Sequence, residues 1–241
     1  MIEFHYAPTP NGWKVGIMLE ECGLAYETHL LNMAGGDQFK SAFMAISPNA
    51  KMPAILDHAP APGYGEGPVP VFESGAILMY LAEKTGRFVP PPEDRRAWKE
   101  LHEWLFWQVG NQGPMGGQLS HFRNYAPQAD RAYGFARYLG EYDRNLGVLE
   151  ARLEGRDFIL GAYSIADMIA FPWAFIAKPL GASLDAFPCV AAWRARIKDR
   201  PAVRRAIALH KDGQNRGQHR VDTNAVLFNQ SAASLRGGGG A

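Results

Sequence analysis

Cysteine is nearly absent from this chain: only Cys22 and Cys189 occur in its 241 residues, and no CxxC pair is formed. Two thiols so far apart exclude a disulfide framework and a cysteine-rich zinc site, and they fit a reducing compartment. An excess of charge of one sign is missing as well. Lysine plus arginine (25) nearly equals aspartate plus glutamate (24), for a formal charge of +1, so the phosphate attraction of a dedicated nucleic-acid binder is lacking. No stretch is long and apolar enough to span a bilayer. The opening MIEFHYAPTPNG has neither the basic start nor the continuous apolar core of a signal peptide. The expectation is a cytoplasmic protein with no nucleic-acid or membrane partner. Present instead is an ordinary globular composition, 47% hydrophobic and 20% charged, with enough length to bury one large core or two small ones.

The organisation of the chain separates two patterns. Ile2 to Tyr6 reads as a strand that stops at Pro8-Thr9-Pro10-Asn11-Gly12, a cluster suited to a loop. From Lys14 the apolar positions Val15, Met18, Leu19 and Cys22 recur at helical spacing up to Gly23, and a second strand follows at Tyr26 to Leu31. A short helical stretch around Phe39 to Ala45 and the loop Ser47 to Pro53 lead into a strand at Ala54 to Asp57. A Gly- and Pro-rich connection, Ala59 to Pro70, joins it to a strand at Val71-Phe72. Ser74 precedes a helical run, Ile77, Leu78 and Leu81, that ends near Gly86. The order is βαβ followed by ββα.

Residues 88–94 contain three consecutive prolines and read as a linker. Beyond them every strong pattern is helical: Trp98, Leu101, Leu105 and Val109, then Phe135, Leu139, Tyr142, Leu146, Leu149 and Leu153. Ser164 and Asp167 have capping-box spacing, and a last amphipathic helix carries Val190, Trp193 and Ile197. The expected domains are residues 1–87, α/β, and 95–209, an all-helical bundle. They are followed by a tail, 210–241, whose glycine-rich end should be mobile.

The motifs TPNG, SPNAKMPAILD and FESGAILMYLAEKTG, followed by WLFWQ, GPMGGQ and YSIAD, resemble the glutathione transferases in kind and order over roughly residues 1 to 205. TPNG, SPNxKxP, FESGAILxYLAEKTG and WLFWQ are similar more narrowly to the bacterial Nu class, which includes glutathione-dependent disulfide-bond reductases. Ala50, Gly116-Gly117, the insert Gly63 to Gly67 and the extended tail depart from that pattern. The resemblance implies a thioredoxin-like N-terminal domain, an all-α C-terminal domain and a homodimer.

It also implies a site for glutathione. Ser74, with the first N–H groups of its helix, would bind the γ-glutamyl carboxylate, and Glu73 the amine; on residue type alone Ser74 is a helix cap and Glu73 an exposed charge. A cis Met52–Pro53 bond is expected from the thioredoxin-like fold, presenting the Met52 backbone to the cysteinyl unit. Lys51 would meet the glycyl carboxylate with Gln38 nearby, although both residue types are more often solvated. At the thiol end Thr9 and Asn11, beside loop N–H groups, would stabilise a glutathione thiolate; as isolated residues they shape a turn and cap a helix. Arg137 matches the arginine of the class's RY segment and would reach a glutathione carboxylate. Trp104, Phe106, Trp107 and Tyr138 belong to the bundle core or wall a substrate pocket.

Tyr6 ends strand one but is set aside as a transferase tyrosine, and Cys22 and Cys189 as catalytic thiols. His102 and His121 lack a metal-ligand pattern, so no metal is expected. The implied chemistry is glutathione-dependent reduction of small disulfides, with two glutathione molecules or one glutathione disulfide in the site. Two alternatives stay open: glutathione transfer to electrophiles, including aryl β-ether cleavage, and a noncatalytic glutathione-binding or protein-interaction module.

Overall fold

The computed structural model describes residues 1–210, 226–228 and 230–235. The glycine-rich end expected to be mobile, Gly237 to Gly240, lies outside the described residues. The described residues form two compact units. One comprises Met1–Thr85 with the described residues from Arg205 on, and the other is Gly86–Arg204.

The first unit runs β1 (Ile2–Tyr6), α1 (Pro10–Cys22), β2 (Tyr26–Leu30), α2 (Ser41–Met44), β3 (Ala54–Asp57), β4 (Val69–Phe72) and α3 (Ser74–Thr85). Its four strands lie in the order β2-β1-β3-β4, with β1 parallel to β2 and β3 antiparallel to both β1 and β4. This is the thioredoxin-like arrangement the sequence implies. Alternation along β1 buries Ile2, Phe4 and Tyr6 on one face, where Phe4 meets Gly16 of α1. Glu3 and His5 face the other side, where His5 lies beside Phe43 of α2. Asp57, fully buried at the end of β3, ties the sheet to α3 by accepting from the Tyr80 hydroxyl (2.8 Å) and pairing with Lys84 (2.6 Å). The chain beyond the helical unit returns to this sheet: Arg205 pairs with Glu20 at 2.6 Å, and the Tyr6 hydroxyl donates to the Leu209 carbonyl at 3.3 Å.

Two starts differ from the sequence expectation, and the first is β4, which begins at Val69, inside the segment read as a connection, because Val69 and Pro70 pair with Asp57 and Leu56 of β3. Helix α1 starts at Pro10, inside the cluster read as a loop, because proline at the first helical position loses no hydrogen bond and has a φ already suited to the helix. Gly12 then sits where a Cβ would overlap the Ala7 carbonyl oxygen and lie 2.9 Å from the Tyr6 ring. Glycine there permits the close approach of α1 to the end of β1.

The second unit contains α4 (Arg95–Trp107), α5 (Gly113–Asn124), α6 (Gln128–Leu153), α7 (Ile165–Phe175) and α8 (Pro188–Lys198). A π-helical turn, Gln108–Gln112, links α4 to α5, and α9 (Pro201–Ala208) closes the helical series. Tyr142, Leu146, Leu149 and Leu153 of α6 and Val190, Trp193 and Ile197 of α8 are buried at their expected helical spacing. Ser164 and Asp167 form the expected capping box of α7. Fully buried Asp167 also accepts from the Ile159 N–H (2.9 Å) and the Trp193 indole (2.8 Å), so one carboxylate satisfies donors from three segments. Gly116 faces the Trp173 ring, which a Cβ would approach to 2.6 Å. The four aromatic residues considered for a core or pocket wall divide: Trp104 and Trp107 pack edge to face at 5.0 Å, Tyr138 stacks on Phe122, and Phe106 is 71% exposed and therefore outside the core.

Candidate functional site

The register of the sheet gathers most of the sequence candidates. His5 pairs with Ala54, and Ala54 pairs with Phe72. The segments after β1, before β3 and after β4 therefore meet at one end of the sheet. These segments carry Thr9 and Asn11, Lys51 to Pro53, and Glu73 and Ser74.

Thr9 is the residue preceding α1 in extended conformation, yet its side chain makes no capping bond to the helix. Its hydroxyl lies 3.5 Å from the Ala7 carbonyl and 3.8 Å from Met52 Sδ, facing across to the proline loop. Asn11 occupies the first turn of α1, and both residues are partly exposed. Met52–Pro53 is cis, with Pro53 buried and Met52 partly exposed. The preceding loop is closed by the Ser47 hydroxyl donating to the Lys51 carbonyl at 2.8 Å and by the Ala50 N–H donating to Ser47 O at 2.9 Å. Ala50 itself takes a left-handed conformation, φ 51°. Lys51 is exposed.

Glu73 carries a left-handed φ of 68°, and its carbonyl accepts the first hydrogen bond of α3, from the Ile77 N–H at 2.9 Å. Glu73 is thus the capping position and Ser74 the first helical residue, which removes the reading of Ser74 as a simple cap. The free N–H groups and positive end of α3 open beside Ser74. Asn49 Nδ2 reaches the Glu73 carboxylate at 3.4 Å.

Lys14 is the residue that sequence reasoning missed. It is 2% exposed, on α1, and its ammonium donates to Ser74 Oγ at 3.2 Å. Burial pushes its pKa down to about 7, opposed by the nearby Glu73 carboxylate. The available signal was a lysine one helical turn before Met18, on the apolar stripe of α1. A buried cation, a hydroxyl and a helix N-terminus thus converge where a carboxylate would be held.

The other candidates are placed differently. Gln38 is fully buried rather than solvated, and neither atom of its amide has a hydrogen-bond partner among the described residues. Arg137 belongs to the helical unit, on α6, where it pairs with Glu141 at 2.7 Å. Tyr6 is buried against Phe4 with ring centroids 4.4 Å apart, and burial raises its phenol to about 12. Cys22 lies at the far end of α1, about 18 Å along the axis from Pro10 at 1.5 Å per residue, with Met18 and Thr85 around its sulfur. Cys189 is in the helical unit, its thiol pushed up by a hydrogen bond to the Glu150 carboxylate. The end of the sheet that holds Thr9 and Ser74 contains no protein thiol among the described residues.

Comparison with known proteins matches residues 9–84 to the glutathione S-transferase N-terminal domain and residues 132–196 to the C-terminal domain. The disulfide-bond oxidoreductase YfcG of Escherichia coli is 45% identical over 217 residues, 90% of this chain and 99% of that protein. A solved glutathione transferase from Burkholderia graminis, with two glutathione molecules bound per subunit, is 44% identical with a TM-score of 0.80, over 87% of this chain and 88% of that one. One from Pseudomonas putida, with one glutathione disulfide bound per subunit, is 39% identical with a TM-score of 0.78, over 87% and 91%.

Proposed function

This chain belongs to the glutathione S-transferase family, and we propose that within it the chain is a Nu-class, glutathione-dependent disulfide-bond reductase that borrows both reacting thiols from glutathione. The observation that carries this reading is a built thiol-end loop, Thr9 facing Met52 beside the cis Met52–Pro53 bond with Asn11 in the first turn of α1, and no cysteine beside it among the described residues. Glutathione is bound along the sheet end by residues 1–87, the thioredoxin-like domain, with 88–94 as the linker. Its γ-glutamyl carboxylate meets Ser74, the α3 N-terminus and Lys14, and its amine meets Glu73. The Met52 backbone pairs with the cysteinyl unit, and Lys51 and Gln38 serve the remaining polar groups. The unpaired Gln38 amide supports its part, since an unmatched buried amide costs about 1–3 kcal/mol until a partner arrives.

In the reaction a glutathione thiolate attacks one sulfur of the substrate disulfide, forming a mixed disulfide and releasing one substrate thiolate. A second glutathione thiolate attacks the glutathione sulfur of that mixed disulfide, releasing the second substrate thiolate and leaving glutathione disulfide. Two glutathione thiols are oxidised and one substrate disulfide is reduced to two thiols. The protein contributes orientation and stabilisation of the attacking thiolate by Thr9 and Asn11, each charge-assisted hydrogen bond being worth roughly 1.5–3 kcal/mol.

The decisive test is a chain carrying Cys22→Ser and Cys189→Ser. We expect it to keep most of its glutathione-dependent turnover of a small disulfide, normalised to folded protein. A folded double variant that binds glutathione normally but no longer reduces the disulfide would place an essential sulfur on the protein and overturn the mechanism. Faster turnover of an aryl β-ether or a halogenated aromatic than of the disulfide would assign the activated thiolate to group transfer instead. Saturable binding without turnover would favour a noncatalytic module. The working form is a cytoplasmic homodimer in this reading; light scattering that gives a persistent monomer would refute the dimer. No helix among the described residues is long and apolar enough to cross a membrane.

A further inference from the structure

The face of the sheet opposite Phe4 carries a cluster that the glutathione chemistry does not use. Strand alternation puts Glu3 and His5 together on β1. The parallel register places His29 of β2 directly beside His5, and the two rings stack at 4.6 Å. Leu56 pairs with Glu3 across β3, and His58 lies two residues further along the same face, its N–H bonded to the Met1 carbonyl. Three imidazoles from three segments therefore converge on one carboxylate, toward the end of the sheet away from Thr9 and Ser74.

We propose that Glu3, His5 and His29 form a binding site for a zinc-class divalent cation, with the His58 ring hydrogen-bonded to the Glu3 carboxylate beside it. One ligand atom from each of Glu3, His5 and His29 lies within 4.8 Å of the other two. Glu3 Oε2 is 3.2 Å from His5 Nε2 and 3.8 Å from His29 Nε2. Ligand bonds of about 2.0–2.2 Å in tetrahedral geometry set neighbouring donors roughly 3.3–3.6 Å apart. His58 Nε2 already touches Glu3 Oε1 at 2.6 Å. The donor set, imidazole nitrogen and carboxylate oxygen without thiolate, suits zinc better than magnesium or calcium.

A second observation points the same way. His29 Nε2 is buried and has no hydrogen-bond partner among the described residues, although it faces the Glu3 carboxylate. A ring nitrogen without a partner next to a carboxylate shared by two other rings is a vacant donor position. The His29 and His58 side chains are 38% and 37% exposed, so the cluster borders solvent although His29 Nε2 itself is covered. Sequence spacing did not reveal the site, because its donors are 2 and 24 positions apart along the chain and only the strand register unites them.

The test is calorimetric titration of the full, untagged chain with zinc chloride. Expected are one zinc per chain and a raised thermal midpoint. Affinity should fall at least about tenfold on removal of a ligand in His29→Gln and in Glu3→Gln, and stay unchanged in His102→Gln, which alters an exposed histidine of α4. Absence of saturable binding in the wild type, or equal affinity in a folded His29→Gln, overturns the proposal. Should a ligand variant fail to fold, histidine-ring NMR of the wild type decides. One equivalent of zinc should move the His5 and His29 resonances, and their failure to move is a refutation.

Discussion

Lys14→Met separates the buried lysine's cost to the fold from its service to the ligand. The drop from an ordinary lysine near 10.5 to about 7 corresponds, at about 1.4 kcal/mol per decade of proton affinity, to roughly 4 kcal/mol at neutral pH. Losing the bond to Ser74 returns about 1 kcal/mol of that, so the variant should be more stable than the wild type by about 2–3 kcal/mol near pH 7. The unfolded chain holds the Lys14 proton up to about pH 10, whereas the folded chain has lost it by about pH 7. The unfolded state thus binds more protons in between, and wild-type stability rises with pH across that window. The variant lacks this rise, so its advantage should shrink steadily from about pH 7 to about pH 10. Every other titrating group is common to both proteins and cancels in the difference. Urea unfolding at both ends of the window measures it. A gap that does not depend on pH, or a variant less stable at neutral pH, would refute the reasoning. Glutathione should reverse the balance, because a carboxylate placed at Ser74 restores the charge on Lys14. At about pH 8, where roughly nine tenths of Lys14 is neutral, the wild type should take up close to one proton more on binding than the variant, in which only the glutathione thiol changes protonation. Calorimetry in two buffers of different ionisation enthalpy reads that difference, and equal proton exchange in the two proteins would refute it.

Ser74→Ala should weaken glutathione binding about tenfold while leaving the thiol pKa of bound glutathione unchanged, since only a carboxylate contact is lost. Thr9→Ala and Asn11→Ala should each raise that bound pKa by about one unit with a smaller effect on affinity; ultraviolet thiolate absorbance distinguishes the two outcomes, and an unmoved pKa in both loop variants rejects their role. Asp167→Ala strands the Ile159 and Ser164 N–H groups and the Trp193 indole in the core, which should cost about 3–5 kcal/mol in denaturant unfolding. A loss below about 1 kcal/mol would show that water replaces the carboxylate.

The order βαβ-ββα and the helical bundle were legible because each rests on a short-range pattern. Alternation at Ile2, Phe4 and Tyr6 marks a half-buried strand, and recurrence at Tyr142, Leu146 and Leu149 marks a helix face. The start of α1 was not legible, since Pro8 and Pro10 give the same turn signal whether proline ends a segment or opens a helix. Ser74 was legible as a site residue, and only its reading as a cap, on residue type alone, shifts by one position. The choice between cap and first helical residue depends on the left-handed φ of Glu73, a conformation unusual for glutamate and invisible in the letters. Lys14 was not legible, and Gln38 on residue type alone reads as solvated, for a shared reason. Residue type assigns a polar group to water by default, and only tertiary packing reveals a buried one.

The same packing explains why one short strand serves two separate chemistries. The period of two in β1 gives Ile2, Phe4 and Tyr6 to the core beneath α1 and leaves Glu3 and His5 on the opposite face. Sliding β1 by one residue would exchange those faces, burying a carboxylate and an imidazole against α1, at a cost no neighbouring group there offsets. The register is therefore fixed by the apolar face alone. Once fixed, it carries His5 opposite Ala54 and Ala54 opposite Phe72, which delivers Thr9, Met52 and Ser74 to one end of the sheet. It equally carries His5 beside His29 and Glu3 beside Leu56, which gathers the histidines on the outer face. The core residues of β1 thus position both sites without contacting either ligand. A substitution such as Phe4→Ala should weaken both sites through the sheet even where the fold survives.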